Sequence, residues 1–351
     1  MCKSLLHPFL AALPKCEHHV HLEGTLSPAL EFELAKKNNI TLPQDDPAFS
    51  SPDSLLECYS RFTSLDDFLH YYFIGTEVLI TTADFEELVM EYFKKAAADG
   101  VLHAEVFFDP EAHTSRGITY ETVVAGFKKA RQKAERELGI TTKLILCVLR
   151  HLPIQSAKET FDTALSRGDF ADGTLAGLGM SSTELDKPPA KWKEIFQEAE
   201  NAGIGRTAHA AEEGPAQYIA EALDILHVQR IDHGRRLVED TALMKRVADE
   251  GIMLTLCPIS NVSLKGVPSI KEMPIRRFLD AGVRFSINSD DPAFFGGYIL
   301  DNYCAVQEAF QLDIEEWCVI VGNSIEGSWC DEERKEELRA ELKSCVCKFN
   351  L

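Results

Sequence analysis

The sequence predicts an α/β protein folded as a (β/α)8 TIM barrel. Eight short runs rich in apolar and β-branched residues recur along the chain, and several are continuously apolar, as buried parallel strands are. Histidines or carboxylates end or follow several of these runs, and the strand ends of a barrel converge on one point. The candidate strands are Cys16–Leu22, Val101–Phe108, Lys143–Leu149, Leu175–Met180, Ile204–Ala208, Gln229–Asp232, Ile252–Leu256 and Val283–Ile287.

Helical patterns separate these strands. Apolar residues recur at i, i+3, i+4 and i+7 from Phe85 to Tyr92, and again from Trp192 to Ala199, which is the spacing of one helix face. Glycines stand where a helix should stop and the next strand begin, namely Gly100, Gly139, Gly203, Gly251 and Gly282.

The first connection is unusually long. Residues 25 to 100 contain several helical patterns, including Leu65–Ile80, before the second strand begins. We interpret this segment as a helical insertion that crosses the mouth of the barrel as a lid. The tail from about residue 300 is also helical, and no linker interrupts the chain. We therefore expect a single domain over residues 1–351.

Composition limits the classes of partner. The net charge of the 351 residues is -20, which disfavours nucleic acid and anionic membranes. No apolar run approaches the length of a membrane span, and residues 1–8 do not resemble a secretory signal. Of the ten cysteines, Cys16, Cys147 and Cys257 lie in strand-like runs as small core residues. The cytosol is therefore a better expectation than a disulfide framework.

Two histidines at the first strand are candidate metal ligands. His19 and His21 are two residues apart, so in a strand their side chains leave the same face and can bind one ion. The alternative is a hydrogen-bonded pair of core histidines. His18 should face the other way and be structural.

The fifth and sixth strands end in further candidates. His209, with Glu212 close behind, suits a third ligand and an acid/base group. The alternative is a helix N-terminus at which acidic residues favour the dipole, and this alternative explains Glu213 better than Glu212. His233 ends the sixth strand, where a core histidine is the alternative.

Two adjacent carboxylates close the eighth strand. Asp290 and Asp291 are costly neighbours unless one binds a cation or both are solvated. A loop turn before Pro292 is the alternative. The conjunction of such residues at several strand ends favours a mononuclear metal hydrolase.

Long motifs extend this interpretation. The chain resembles the adenosine/adenine deaminase family of the amidohydrolase superfamily, and most closely its fungal-type adenine deaminases. The resemblance covers nearly the whole chain. It is carried by PKCEHHVHLEG (14–24), FFDPEAHTSRG (107–117), EGPAQ (213–217), RIDHG (230–234), CPISNV (257–262) and SDDPAFFGG (289–297).

The resemblance implies a role for each candidate residue. One Zn2+ per chain would be held by four side chains, namely His19, His21, His209 and Asp290. Glu212 would deliver a proton to a purine ring nitrogen, His233 would orient and help deprotonate water, and Asp291 would hydrogen-bond the purine. The implied reaction converts adenine and water to hypoxanthine and ammonia in purine salvage, in the cytoplasm and by resemblance also the nucleus.

Three positions bear on selectivity. Ala211 stands where relatives usually have glycine, and Ser181 where they usually have Asp. Glu23 stands where adenosine-acting relatives have Asp, and we expect its longer carboxylate to occupy the space of a ribose. The alternatives are an adenosine or N6-substituted adenine deaminase, and a purine- or metal-binding protein with little catalysis.

Overall fold

The computed structural model describes residues 3–349 and confirms the (β/α)8 TIM barrel. Eight strands pair in parallel in the order in which they occur along the chain. They are β1 (Lys15–Glu17), β2 (Val101–Phe108), β3 (Thr141–Leu149), β4 (Gly177–Ser181), β5 (Gly205–Ala210), β6 (Arg230–His233), β7 (Met253–Leu256) and β8 (Arg284–Ile287). All eight predicted strands are present, and only β1 differs greatly from its predicted length.

Helices surround the strands and form both the long first connection and the tail. The helices are α1 (His7–Ala12), α2 (Pro28–Asn38), α3 (Pro52–Tyr59), α4 (Leu65–Thr76), α5 (Thr82–Ala98), α6 (Pro110–Thr114), α7 (Tyr120–Leu138), α8 (Ile154–Arg167), α9 (Lys193–Asn201), α10 (Gln217–Asp224), α11 (Thr241–Asp249), α12 (Pro258–Ser263), α13 (Ile275–Ala281), α14 (Pro292–Phe295), α15 (Ile299–Phe310), α16 (Ile314–Glu326) and α17 (Glu332–Lys348). From residue 3 to residue 349, no helix is both long and apolar enough to cross a membrane.

Local sequence explains where several helices begin and end. Ser64 and Thr81 accept hydrogen bonds from backbone N–H groups in the first turns of α4 and α5, which satisfies donors that the helix itself leaves free. Gly139 and Gly282 end α7 and α13 with φ of 70°, a left-handed conformation that glycine adopts without steric cost. Both glycines are among those predicted to stop helices.

The first strand is short because its backbone partners change after Glu17. The N–H of His18 donates to the side-chain oxygen of Asn288, at 2.8 Å, instead of to a strand. Backbone pairing resumes further on, where His21 N donates to Asp290 O and Asp290 N donates to His19 O, both at 2.9 Å. The barrel is therefore closed between its first and eighth strands at the residues predicted to bind metal.

The long insertion between β1 and β2 covers the carboxyl ends of the strands. It has its own apolar cluster, separate from the main core. In this cluster Tyr59 of α3 stacks on Phe294 of α14, with ring centroids 4.5 Å apart, and Phe68 of α4 contacts the same ring at 5.2 Å. The insertion thus packs directly onto the segment that follows Asp290 and Asp291.

Candidate active site

The structure brings four predicted metal ligands together at the carboxyl ends of the strands. His19 and His21 follow β1, His209 lies in β5, and Asp290 follows β8. All four are buried, and one ligand atom from each lies within 4.8 Å of all the others. By contrast, His18 points away from this cluster and contacts the hydroxyls of Ser286 and Ser328, as predicted for a structural residue.

The spacing of these atoms suits a tetrahedral ion. His21 Nε2 lies 3.1 Å from His209 Nε2, and Asp290 Oδ1 lies 3.1 Å from His19 Nε2 and 3.6 Å from His21 Nε2. Ligands about 2.1 Å from a tetrahedral zinc ion stand about 3.4 Å from one another. These three distances are therefore close to those that such an ion requires, and the other pairs of ligand atoms lie within 4.8 Å.

A hydrogen bond behind the cluster fixes the orientation of the His19 imidazole, and a carboxyl group lies behind His209. Thr255 Oγ1 donates to Asp232 Oδ1 at 3.1 Å, so it accepts the proton of His19 Nδ1, 2.8 Å away. His19 Nε2 therefore presents a lone pair to the cluster. Asp232 Oδ2 also lies 3.6 Å from His209 Nδ1, and it accepts a 2.7 Å hydrogen bond from Thr207. Such partners orient metal-binding histidines.

The pKa values of the clustered side chains favour the protonation states in which these side chains bind a metal. Burial lowers the pKa of His21 to about 3, and burial together with the neighbouring imidazoles holds the pKa of His209 well below its usual value. Burial opposes ionisation of Asp290, but His19, His233 and His21 beside it hold its pKa well below the usual range. Neutral imidazoles and an ionised carboxylate are the forms that bind a metal.

A second combination, of His19, His233, Cys257 and Asp290, also has close ligand atoms. Burial raises the pKa of the Cys257 thiol well above its usual value, and a thiol binds metal as the thiolate. The histidine-rich combination is therefore the better ligand set, and it leaves His233 available for another role.

Glu212 and His233 lie side by side next to the cluster. Glu212 Oε2 is 3.4 Å from His233 Nε2, and Asn261 Nδ2 donates to Glu212 Oε1 at 3.3 Å. His233 Nε2 is 3.8 Å from Asp290 Oδ2. Burial, and then the charges of Asp290 and Glu184, raise the pKa of Glu212 well above its usual value. A buried carboxyl of this kind keeps its proton near neutrality and can act as an acid.

A buried ion pair holds the turn that carries Glu212. Glu184 accepts hydrogen bonds from the backbone N–H of Glu212, at 3.3 Å, and of Gly214, at 2.8 Å. Arg150 is 3.5 Å from Glu184 and also donates to the carbonyl oxygen of His209. The pair therefore ties the end of β5 to the turn after it and positions Glu212.

The structure shows where Ala211 and Glu213 lie in this turn. Ala211 is fully buried and is not part of the pocket wall, so its methyl group does not narrow the pocket. Its backbone has φ of 59°, the left-handed conformation that favours glycine. The placement of Glu213 at a helix N-terminus is wrong, because α10 begins only at Gln217. Glu213 instead lies in the turn whose conformation Glu184 fixes.

Asp291 faces the pocket with an unused acceptor. Its side chain is buried, and among residues 3–349 its Oδ1 has no hydrogen-bond partner. Burial and the charge of Asp290 raise its pKa well above the usual value. A Cβ atom at Gly24 would lie 1.9 Å from this oxygen, so only glycine there allows Asp291 its position.

The pocket above the cluster has a polar floor and an apolar roof. Its floor includes Glu212, His233 and Asp291. Its roof is formed by side chains of α4, namely Leu65, Phe68, Leu69, Tyr72 and Phe73. An apolar enclosure with a few convergent polar groups is the usual form of a site for a small planar ligand.

The side chain of Glu23 does not lie in the pocket, where the sequence analysis expected it. Its side chain is fully buried and is absent from the pocket wall, so it does not fill the space of a ribose. Its Oε1 is occupied by His113 Nε2, at 2.9 Å, and by the N–H of Asp109, at 3.2 Å. Asp109 and Ser181 line the pocket instead.

Sequence reasoning missed the residues that act behind the site. Arg150, Glu184 and Thr255 have no motif of their own, and Asp109 was noticed only inside a longer motif. One signal was available. Charged residues that end strongly apolar strands are rarely buried without a partner, and Asp109 and Arg150 both stand at such positions.

A (β/α)8 barrel with this site belongs to the class of amidohydrolase-type enzymes, and the comparisons identify the family. The adenosine deaminase family model matches residues 14–345, and the chain belongs to this family. It is 60% identical over 338 residues to an adenine deaminase of Aspergillus oryzae, covering 96% of each chain.

Solved structures give the same result. The crystal structure of adenine deaminase from Arthrobacter aurescens matches with a TM-score of 0.90 and 42% identity, covering 95% of this chain and 99% of that one. An amidohydrolase from Burkholderia ambifaria with bound Zn matches with a TM-score of 0.87 and 27% identity, covering 97% and 94% of the two chains.

Proposed function

We propose that the protein hydrolyses adenine to hypoxanthine and ammonia. The observation that carries this proposal is the pocket in which the carboxyl groups of Glu212 and Asp291 face one small space beside the four-ligand cluster. The adenine deaminases of Aspergillus oryzae and Arthrobacter aurescens, which align over almost the whole chain, support adenine as the substrate.

We propose one Zn2+ per chain, held by His19, His21, His209 and Asp290. Three imidazoles and one carboxylate form a set that zinc favours, and the amidohydrolase with bound Zn supports the choice. The ion, when bound, would supply Lewis-acid chemistry that brings the pKa of a water molecule towards about 7. Elemental analysis of protein purified without added metal tests this. Mostly iron, or clearly more than one zinc per chain, would contradict it.

The residues of the chain account for the proton transfers. Glu212 donates its proton to the ring nitrogen next to C6, which makes C6 open to addition of water. His233, 3.4 Å from Glu212, orients the water and accepts a proton from it. Asp291 hydrogen-bonds the five-membered ring and holds the base in place. Cleavage of the bond between C6 and the exocyclic nitrogen, with a proton delivered to that nitrogen, releases ammonia.

The decisive experiment follows ultraviolet absorbance with adenine, adenosine and N6-methyladenine, with and without added zinc. We expect zinc-dependent turnover with adenine as the best substrate. Turnover of adenosine or N6-methyladenine at least as fast as that of adenine would replace this proposal with the corresponding deaminase. Binding of purine without turnover would indicate a protein that only binds its ligand.

We also propose that residues 1–351 form one domain working in the cytoplasm. One continuous apolar cluster includes residues from Phe9 to Cys345, and the buried Cys16, Cys147 and Cys257 are free thiols, as is usual in a reducing compartment. A single calorimetric unfolding transition and cell fractionation would test the two statements.

A further inference from the structure

A buried carboxyl group with no assigned role lies on the pocket wall. Asp109 directly follows β2 and is only 3% exposed. Tyr72 donates its phenolic hydrogen to Asp109 Oδ2 at 2.8 Å, and Ser181 Oγ donates to Oδ1 at 3.3 Å. Both partners also line the pocket, so the three polar groups form one continuous part of its wall.

Hydrogen bonds on the side away from the pocket hold the backbone of Asp109 in place. Arg116 donates to His113 Nδ1 at 2.9 Å, which leaves the proton of His113 on Nε2, and that proton goes to Glu23 Oε1. The same oxygen of Glu23 accepts the backbone N–H of Asp109. Three side chains therefore fix the backbone from which Asp109 reaches into the pocket.

No ion pair among the described residues involves Asp109. Burial, and then the charge of the Glu23 carboxyl group, raise the pKa of Asp109 well above its usual value. A buried carboxyl without a cation costs free energy. A ligand that donates a hydrogen bond to this group would offset part of that cost.

The positions of the other polar groups in the pocket determine which edge of a bound purine would lie next to Asp109. With C6 at the metal cluster, one side of a purine presents N1 to Glu212 in the turn after β5, and the other presents N7 to Asp291 after β8. The edge formed by N3 and N9 lies opposite C6. Asp109 and Ser181 supply polar groups on the remaining wall, from β2 and β4.

We propose that Asp109, held by Tyr72 and Ser181, is the residue that selects a free purine base by accepting a hydrogen bond from its N9–H. This inference rests on the proposed function. It does not depend on the protonation state, because an ionised carboxylate and a neutral carboxyl both retain an acceptor oxygen. A neutral carboxyl can also donate to N3 beside it.

The selectivity follows from the position of N9. A nucleoside carries carbon at N9, so it has no proton for Asp109 and brings a carbon atom against the carboxyl group instead of a hydrogen-bond donor. Its sugar would also have to displace the side chains of Tyr72 and Ser181. Sites built to hydrogen-bond a ligand reject analogues lacking the donor far more strongly than apolar pockets reject a change of size.

The test compares kcat/KM for adenine and 9-methyladenine, which differ by one methyl group at N9. We expect the wild-type protein to prefer adenine by at least about 10²-fold. Asp109→Ala should lower kcat/KM for adenine by about tenfold, as for loss of one hydrogen bond. It should change the value for 9-methyladenine by less than about threefold, so the preference falls.

Two further variants separate recognition from structural support. Asp109→Asn keeps an acceptor oxygen and should retain most of the preference for adenine. Glu111→Gln alters a nearby buried carboxyl group that accepts the backbone N–H of Leu149 and is absent from the pocket wall, and it should leave the adenine to 9-methyladenine ratio unchanged. Zinc content and melting temperature are measured for every variant.

If a variant of Asp109 is inactive, calorimetric binding of hypoxanthine and 9-methylhypoxanthine gives the same ratio without turnover. An equal loss for both ligands in Asp109→Ala would overturn the inference and leave Asp109 a structural residue. Wild-type protein that does not deaminate adenine when loaded with zinc would instead contradict the proposed function.

Discussion

At the scale of single residues, burial determines what each carboxyl group of the pocket can do. Asp290 lies among imidazoles and stays ionised, whereas Glu212 lies next to Asp290 and keeps its proton. Two carboxyl groups whose environments push their pKa values apart are suited to different tasks. The first suits a metal ligand and the second suits a proton donor.

Glu212→Gln should therefore reduce turnover of adenine by at least about 10²-fold while zinc remains bound. The amide preserves the shape of the side chain and its contact with Asn261, but it has no acidic proton for the ring nitrogen. Turnover and zinc content are measured on the same preparation. More than about a tenth of wild-type activity would be inconsistent with general acid catalysis by this residue.

Glu213 is the matched control, because it neighbours Glu212 but does not line the pocket. Glu213→Gln should leave turnover within about threefold of wild type, well short of the usual loss of a general acid. Asp290→Asn should differ from both by losing zinc as well as activity, since an amide is a poorer zinc ligand than a carboxylate.

The candidate ligands could be picked out from the sequence, whereas the residues around them could not. His19 and His21 could be paired because alternate residues of a strand share a face, and the structure places both in the cluster. The prediction for Glu23 was wrong because its direction depends on His113, which is 90 positions away along the chain. No local pattern contains such a contact.

At the scale of elements, the turns that end the strands use strained backbone. Ala211, His233 and Asp290 have φ of 59°, 61° and 65°, and each is at or next to a proposed functional residue. Non-glycine residues adopt this conformation at a cost in free energy. This backbone conformation lowers the stability of the turns, and it directs the side chains at these strand ends towards the site.

Ala211→Gly should raise the free energy of unfolding by about 1 kcal/mol, because glycine reaches this conformation without the steric cost. Since the methyl group is outside the pocket wall, turnover of adenine should change less than about twofold. Chemical denaturation and the ultraviolet assay measure the two quantities.

Ala210→Gly provides the comparison, because Ala210 is buried in β5 and its φ is not positive. Glycine in a strand interior should destabilise the protein by about 0.5–1 kcal/mol. Equal changes in both variants would show that the backbone of Ala211 is not strained.

The long insertion contains a buried acid of its own. Glu31 of α2 is fully buried, receives a 3.4 Å hydrogen bond from Tyr59, and is 3.3 Å from a Cβ built at Gly75. Burial raises its pKa to about 8, against about 4.3 in an unfolded chain. The folded protein therefore holds a proton that the unfolded chain releases between these two values.

Linkage gives the sign of the pH dependence. Because the folded state binds more protons in this range, the stability contributed by Glu31 is complete below about pH 4.3 and falls as the pH rises towards 8. Glu31→Gln should thus become more stable relative to wild type between pH 5 and pH 8, as measured by melting temperature. Glu33→Gln, on the exposed face of the same helix, controls for the loss of one negative charge.

At the scale of the whole molecule, the barrel was predictable because the same unit, a strand followed by a helix, recurs along the chain. Eight strands alternate with helices, and the run Val101–Phe108, which is rich in apolar residues, appears as a strand with the predicted bounds. The exception is β1, whose predicted extent to Leu22 includes residues that pair through isolated bridges and side chains. Such pairing depends on Asn288 and Asp290, at the far end of the chain.

Removal of the metal should destabilise the whole barrel. The proposed ligands come from β1, β5 and β8, so an ion that binds only the folded state stabilises contacts between distant parts of the chain. Treatment with a chelator should lower the melting temperature by about 5 °C or more. The same treatment of Asp290→Asn should have much less effect, and an equal shift in both proteins would place the stabilising ion elsewhere.

The closure between the first and eighth strands has a consequence for motion. Among the hydrogen bonds across this seam, two join backbone to backbone, from the amides of His21 and Asp290, and both amides belong to residues of the proposed metal site. Loss of the ion should let the seam open, so these amides should exchange with deuterium faster in metal-free protein. The amides that join β2 to β3, a long regular ladder, should exchange slowly with or without the ion. Deuterium uptake by peptides from the two regions would thus report occupancy of the site without any substrate.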